Sequence, residues 1–230
     1  MFSTKVIFQM TVQDDRRENE LITLFQLQKP AKATRSGTDA VLYFNERYIP
    51  FELKSTTSSS VTTVRDFGLT HIQKWQDKHW LFGFYNKNGT ALNYCLYGSP
   101  QAMEKWISEK EAYILADYKL AQLAPELLTL NVLYEILGQK QIYTLEDARR
   151  LQKKQYTIQQ YRHQMDLFQG YSPERMLSIL KDRCRYLIER GSTLNNPHIP
   201  ASYFQGWERI TENHAQRLRE LVAEALHDKA

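Results

Sequence analysis

The chain has 230 residues, two cysteines and a formal net charge of +4 at neutral pH, and 42% of its residues are hydrophobic. This length can bury a sizeable core without help from disulfides or structural metals, and the cysteines lack the CxxC spacing of a zinc knuckle or redox pair. Because no apolar run is long enough to span a bilayer and the N-terminus lacks a signal-peptide pattern, we expect no membrane association and a cytoplasmic location.

The N-terminal part is predicted to begin with a helix followed by a β-hairpin. Leu21, Leu24 and Phe25 recur at helical spacing, which indicates a helix that ends before Pro30. Residues 39–54 are rich in β-branched and aromatic residues on both sides of an Asn-Glu-Arg turn. This composition is typical of a β-hairpin.

A short helix and two further strands are predicted next. Thr70 and Gln73 match a capping box, which places a helix start at Thr70 and explains Gln73 without a functional role. Trp75 is expected to be a core residue. Residues 80–85 are predicted to form a fully buried strand, and residues 91–97 its partner across an Asn-Gly turn.

From Ser99 onward the pattern becomes helical, because good N-cap residues recur before apolar periodic segments. The predicted helix starts are Ser99-Pro100, Thr144, Thr157 and Ser172-Pro173, with a helix stop at Gly191. The whole pattern predicts an α/β protein in which residues 1–123 form a mixed core and residues 124–230 a mainly helical part.

Three charged residues lie at the ends of the two hairpin strands: Asp39, Glu52 and Lys54. Side chains two apart on a strand share a face, so Glu52 and Lys54 point the same way. A two-residue loop at residues 45–46 would place Asp39 opposite Glu52, whereas a four-residue loop would place Asp39 opposite Lys54. An odd loop would break the cluster unless a bulge restored it. Two adjacent carboxylates and a lysine are suited to metal-assisted phosphodiester hydrolysis.

This stretch resembles the PD-(D/E)XK nucleases, and among them the type II restriction endonucleases. The match consists of Gly37-Thr38-Asp39 and Glu52-Leu53-Lys54, with Thr38 in place of the family's proline, and the resemblance covers roughly residues 14–97. It implies that Asp39 and Glu52 bind Mg²⁺ and that Lys54 assists the nucleophilic water. It also implies a restriction-endonuclease-like mixed β-sheet core flanked by helices.

Family members often have another acid on the first helix, and either Glu18 or Glu20 could serve in this chain. The same acid-x-lysine formula occurs at Asp117-Tyr118-Lys119, but there it lies in a helical stretch, where positions two apart do not share a face. We therefore interpret Asp117 and Lys119 as a chance match.

The resemblance predicts a bacterial enzyme that cleaves double-stranded DNA at specific sites and acts as a homodimer, with residues 1–123 as catalytic core and residues 124–230 for DNA recognition or dimerisation. The alternatives are a repair or junction nuclease of the same superfamily, and a DNA-binding module without catalysis. Binding without cleavage would distinguish the second alternative.

DNA contacts are predicted from a run of hydroxyl residues after Lys54 and from basic residues elsewhere, because hydroxyls and cations bind phosphate oxygens. A polar surface loop and ordinary helical packing are the competing interpretations of these segments, including the helix pair in residues 144–164, which resembles a helix-turn-helix. A polar turn at residues 195–198 either caps the preceding helical region or reads adenine. The predicted DNA-contacting residues are Lys32, Arg35, Ser55, Thr56, Thr57, Ser58, Ser59, Arg65, Lys153, Lys154 and Arg162.

Overall fold

The computed structural model of the protein describes residues 15–30, 37–153 and 155–228. The chain divides into two units: unit 1 comprises residues up to Glu111 and from Leu194 onward, and unit 2 comprises Ala112–Thr193. The predicted division after residue 123 does not coincide with these units. The reason is that C-terminal residues return to the sheet, where the backbones of Ile210 and Cys95 exchange two hydrogen bonds of 2.8 and 2.9 Å.

The strands are all in unit 1, and the fold is mixed α/β, as predicted. The described strands are β1 (Ala40–Phe44), β2 (Arg47–Thr56), β3 (Val61–Thr62), β4 (His79–Tyr85), β5 (Leu92–Gly98) and β6 (His198–Ile199). The described helices are α1 (residues 15–24), α2 (Leu69–Trp75), α3 (Pro100–Leu123), α4 (Leu130–Leu137), α5 (Leu145–Gln152), α6 (Ile158–His163), α7 (Pro173–Gly191) and α8 (His214–His227), with 3₁₀ turns at Ala124–Leu127 and Ala201–Phe204. Among these described residues, no helix is long and apolar enough to cross a membrane.

A four-stranded mixed sheet organises unit 1, in the order β1-β2-β4-β5. The β1/β2 and β4/β5 pairs are antiparallel hairpins, and the central β2/β4 pair is parallel. The chain passes through α2 between these two parallel strands, because parallel neighbours need a crossover connection. A separate two-stranded ribbon joins β3 to β6.

The β1/β2 hairpin closes with a two-residue loop, which is one of the registers predicted from the sequence. Phe44 pairs with Arg47, and Asn45 and Glu46 both have positive φ angles, of 48° and 62°. Positive φ at both central residues is the geometry of a type I′ turn, whose twist matches that of the flanking strands. This register brings the start of β1 against the middle of β2.

The two faces of the sheet are covered by different material. On one face, Leu21 of α1 and Leu218 and Val222 of α8 pack in a buried cluster with Phe51 and Leu53 of β2. The alternation of side chains along β2 places Glu52 and Lys54 on the other face.

An aromatic cluster fills much of that other face. Trp75, predicted to be a core residue, is buried there and contacts Phe67, Trp80 and Trp106. This packing fixes α2 and the start of β4 against the strand that carries Glu52.

The predicted helix starts are mostly confirmed. The side chains of Ser99, Thr144, Thr157 and Ser172 each accept a hydrogen bond from the first turn of the helix that follows. The capping box predicted at Thr70 is wrong, because α2 starts at Leu69 after the N-cap residue Gly68. The amide of Gly68 donates to Nδ1 of His71 at 3.3 Å, so His71 takes the place expected for Gln73.

Unit 2 is helical and has its own core. Tyr143, Tyr161 and Tyr171 are buried together with apolar residues of α4, α5 and α7. Gln152 anchors α5 to α7 through its side-chain amide, which donates to the carbonyl of Ile179 at 3.0 Å. Both α5 and α6 thus contribute residues to the core of unit 2.

Candidate active site

Asp39 lies directly before β1 and is held against β2 by two hydrogen bonds. Its amide donates to the carbonyl of Phe51 at 3.1 Å, and its carboxylate oxygen Oδ2 accepts from the amide of Leu53 at 2.8 Å. Because Ala40 pairs with Phe51, Asp39 is the next residue outward and faces Glu52. The two-residue loop thus brings the two predicted carboxylates together.

Glu52 is almost fully buried, with 5% of its surface exposed, and each of its carboxylate oxygens contacts a lysine. The ammonium of Lys54 donates to Oε1 at 2.7 Å, and the ammonium of Lys78 donates to Oε2 at 2.7 Å. Lys54 also lies 3.8 Å from Oδ2 of Asp39. Asp39, Glu52 and Lys54, predicted from the sequence as one cluster, are therefore in direct contact.

Lys78 is a member of this cluster that the sequence analysis missed. It lies between α2 and β4, is 5% exposed, and also donates to the carbonyl of Gly37 at 3.0 Å. The parallel pairing of Glu52 with Trp80 places Lys78 close to Glu52, since Lys78 precedes Trp80 by two residues. A long-range strand pairing of this kind leaves no local signal in the sequence.

The electrostatics of the cluster differ between its two acids. Burial raises the pKa of Asp39, and the nearby Glu52 carboxylate adds to this, although the Lys54 ammonium opposes it. For Glu52, burial also opposes ionisation, but the ammonium groups of Lys54 and Lys78 outweigh it and hold the pKa below its usual value. Burial lowers the pKa of Lys54, but the Glu52 and Asp39 carboxylates outweigh it, so the net pKa is raised.

The structure distinguishes between the two acids predicted on the first helix. Burial raises the pKa of Glu18, and the charge of Asp39 contributes to the rise, which places Glu18 within electrostatic reach of the cluster. The carboxylate of Glu20 instead accepts a hydrogen bond from the hydroxyl of Tyr85 at 3.1 Å. Residues two apart on a helix do not share a face, so only one of them can approach Asp39.

The cluster offers carboxylates that suit a divalent cation. In the part of the chain that the structure describes, no group of three or more His, Cys, Asp and Glu side chains could hold a metal ion. Mg²⁺ does not need such a group, because it keeps several waters and binds through one or two carboxylates. Asp39 and Glu52 supply those two, and the ammonium of Lys54 already lies between them at 3.8 and 2.7 Å. The residues therefore fit Mg²⁺.

The hydroxyl run continues β2 beyond Lys54 into an exposed bend. Ser55 and Thr56 are the last residues of β2, and Thr57, Ser58 and Ser59 are exposed. Some of these hydroxyls stabilise the bend itself: those of Thr56 and Ser58 each donate to the carbonyl of Ser60 at 2.8 Å. Within the described residues, the hydroxyls of Ser55, Thr57 and Ser59 make no hydrogen bond that stabilises the bend.

The predicted basic contacts that the structure describes belong to both units. Arg65 is exposed in unit 1, whereas Lys153 and Arg162 are exposed in unit 2. Lys32, Arg35 and Lys154 lie outside the described residues.

The polar turn at residues 195–198 does not cap α7. The chain before and after this turn pairs with the segment that follows the hydroxyl bend, through Phe67 with Leu194 and through β3 with β6. The exposed side chains of Thr62 and His198 contact each other across the ribbon at 3.1 Å. Two further histidines of unit 1 make contacts within the fold: Nδ1 of His79 lies 2.6 Å from the hydroxyl of Tyr97, and Nδ1 of His71 accepts from the amide of Gly68 at the start of α2.

The chance match at Asp117 and Lys119 is on α3, and both residues are exposed.

Comparisons of the chain with protein-family models and with curated proteins find no match. The chemistry of the Asp39, Glu52 and Lys54 cluster therefore carries the functional conclusion.

Proposed function

We propose that this protein is a Mg²⁺-dependent endonuclease that hydrolyses phosphodiester bonds of double-stranded DNA at specific sites, as type II restriction enzymes do. The observation that supports this proposal is the contact of Asp39, Glu52 and Lys54 at one end of a β-hairpin. Two carboxylates and a lysine supply what metal-assisted phosphodiester hydrolysis requires of a protein.

The order of elements also supports the proposal. A helix, an antiparallel hairpin that carries the acids, a crossover helix and a parallel third strand follow one another in unit 1. This is the arrangement expected of a restriction-endonuclease-like core. The likeness of the fold supports catalysis by analogy only, because function depends on the residues of the site.

In this proposal Asp39 and Glu52 would hold the cation, and Lys54 would contact a phosphate oxygen of the substrate or the attacking water. Bound Mg²⁺ supplies positive charge that offsets the charge developing on the scissile phosphate and acidifies the attacking water. Burial lowers the pKa of Lys54, but with no cation bound the Glu52 and Asp39 carboxylates outweigh it and raise the pKa, so the ammonium is suited to donate to a phosphate oxygen or to the attacking water. In the hydrolysis, water adds across one P–O ester bond, which leaves a phosphate on one end of the strand and a hydroxyl on the other.

The exposed bend after β2 provides the first DNA contacts. Thr57, Ser58 and Ser59 follow the catalytic strand within a few residues of Lys54, so a phosphate at the cluster would lie close to their hydroxyls.

Cleavage of both strands of a palindrome would require two copies of the site related by a two-fold axis, and we propose a homodimer on that ground.

The test is cleavage of linear phage DNA by the purified protein, with Mg²⁺ and with EDTA, followed by gel electrophoresis. We expect discrete fragments with Mg²⁺ only, and a loss of at least about 10³-fold in rate for Asp39→Asn and Lys54→Ala, because each removes a group required in the transition state. Sequencing the fragment ends would identify the site.

The matched control is Lys119→Ala, which alters the same acid-x-lysine formula in α3 and should cleave like the wild type. Intact DNA in all conditions, from a folded protein that binds DNA, would contradict the proposal. A smear in place of discrete fragments would contradict site specificity alone.

A further inference from the structure

Lys78 connects the two halves of the acid cluster. Its ammonium lies 2.7 Å from Oε2 of Glu52 and 3.0 Å from the carbonyl oxygen of Gly37, two residues before Asp39. One buried cation thus fixes both the carboxylate on β2 and the segment that leads into the other carboxylate.

A buried lysine is costly, which makes a purely structural role for Lys78 unusual. Well-packed apolar residues in place of a buried ion pair are often neutral or stabilising, so stability alone gives no reason to keep Lys78. The aromatic neighbours Trp75 and Trp80 show that apolar packing is available in this part of the fold. The contacts of Lys78 instead indicate that it positions the carboxylate of Glu52.

The two lysines on Glu52 are not equivalent. Lys54 also contacts Asp39, and it lies where a cation shared by the two carboxylates would bind. Lys78 contacts Glu52 from the other side and is only 6% exposed at its side chain, the same as Glu52 itself. Lys78 therefore occupies Oε2, so a cation could reach Glu52 only at Oε1, in the place where the Lys54 ammonium lies.

This restriction distinguishes between divalent cations. Mg²⁺ accepts one oxygen from a carboxylate and keeps its waters in octahedral geometry, whereas Ca²⁺ takes six to eight oxygens and readily uses both oxygens of a carboxylate. When one carboxylate oxygen of Glu52 is occupied, the other oxygen still suits Mg²⁺. Ca²⁺ is disfavoured, because it cannot use both oxygens of the carboxylate.

We propose that Lys78 is a positioning residue that favours Mg²⁺ over Ca²⁺ by occupying Oε2 of Glu52. This inference rests on the proposed function, since it assumes that Asp39 and Glu52 bind a divalent cation.

Cation binding can be measured without catalysis, from the rise in the midpoint of thermal unfolding with cation concentration. The full-length protein is titrated with MgCl₂ and with CaCl₂ at constant ionic strength, as wild type, Lys78→Met and Lys78→Arg. The side chain of Met fills a similar volume without donating to Oε2, and Arg keeps a cationic donor. Lys74→Met is the matched control, because it removes a positive charge from the neighbouring α2 without contacting Glu52.

We expect Lys78→Met to increase the affinity for Ca²⁺ at least roughly fivefold more than the affinity for Mg²⁺, since the second oxygen of Glu52 becomes available. Lys78→Arg and Lys74→Met should keep the ratio of the wild type. If Lys78→Met does not unfold cooperatively, Lys78→Gln is measured in its place, because its shorter, neutral side chain also releases Oε2.

An equal rise in both affinities, or the same change in ratio for Lys74→Met, would overturn the inference, because charge removal alone would then explain the effect. A wild type that binds neither cation while cutting DNA without them would overturn the proposed function itself. The two failures are therefore distinguishable.

Discussion

At the scale of single residues, the cluster is held by one buried glutamate that contacts two lysines. Glu52 accepts 2.7 Å hydrogen bonds from both Lys54 and Lys78, and these ammonium groups overcome the cost of burial to lower its pKa. A carboxylate with a lowered pKa in the folded state contributes stability above its unfolded pKa, and that contribution disappears as the pH falls through the folded pKa.

The lowered pKa of Glu52 predicts that the effect of Glu52→Gln on stability depends on pH. At pH 7 the variant leaves two buried ammonium groups without their carboxylate, and we expect the free energy of unfolding to fall by about 3 kcal/mol. As the pH falls from the ordinary glutamate pKa of 4.5 through the lower folded pKa of Glu52, the wild type loses this contribution, so the difference between the two proteins should shrink. Urea unfolding followed by circular dichroism at a series of pH values measures this difference.

A suitable comparison is Glu126→Gln in unit 2, where an exposed glutamate accepts a 2.8 Å hydrogen bond from Lys181. Solvent screens that pair, so little change in stability is expected. A deficit in Glu52→Gln that is the same at every pH would mean that Glu52 is not ionised in the folded protein.

At the scale of elements, the sequence predicted the hairpin but left its loop length open. The type I′ turn is favoured by Asn-Gly, and the Asn45-Glu46 sequence is a poor example of it, so three registers had to be considered. The pairing of Phe44 with Arg47, together with the positive φ angles of 48° and 62° at the two loop residues, decides in favour of the two-residue loop. The pairing of Asp39 with Glu52 was thus one of several expectations until the backbone was known.

The turn itself can be improved. Glu46 has a side chain at φ 62°, and glycine adopts this conformation without steric cost, so we expect Glu46→Gly to raise the free energy of unfolding by about 0.5–1 kcal/mol. Glu46→Ala removes the same charge but keeps Cβ, and it should not share the gain. Thermal unfolding midpoints of the three proteins test this, and equal gains in both variants would assign the effect to charge instead of backbone strain.

Other features of the site were beyond local sequence patterns. Lys78 belongs to the cluster only because β2 pairs in parallel with β4, and no spacing rule connects residues 52 and 78 before that pairing is known. The choice between Glu18 and Glu20 depended on how α1 packs on the sheet. Residues within one element were predictable from periodicity, and residues brought together by the crossover were not.

At the scale of the whole molecule, the C-terminal segment completes the sheet domain. Residues from Leu194 onward belong to unit 1, where Leu218 and Val222 of α8 are fully buried against the sheet. The helical periodicity of this segment was visible in the sequence, but its packing partner was not. The predicted boundary after residue 123 therefore differs from the boundaries of the two units.

The contribution of α8 to unit 1 can be measured with Leu218→Ala. Removing a fully buried leucine side chain costs the transfer of its methyl groups and leaves a cavity, so we expect the free energy of unfolding to fall by about 2–5 kcal/mol. Leu187→Ala on α7 changes a leucine that is 53% exposed and should have little effect. Similar losses from both substitutions in urea unfolding would contradict the assignment of α8 to the core of unit 1.

The pairing of Glu52 with Trp80 across the parallel strands places a fluorescent side chain beside the buried carboxylate. Trp80 contacts Trp75 and Trp106, and the fourth tryptophan, Trp207, is also in unit 1. Intrinsic indole emission from this chain therefore originates entirely beside the sheet, with one fluorophore next to the buried carboxylate. Tryptophan emission from the unlabelled protein reports on unit 1 and on the surroundings of β2, because unit 2 contains tyrosines but no tryptophan.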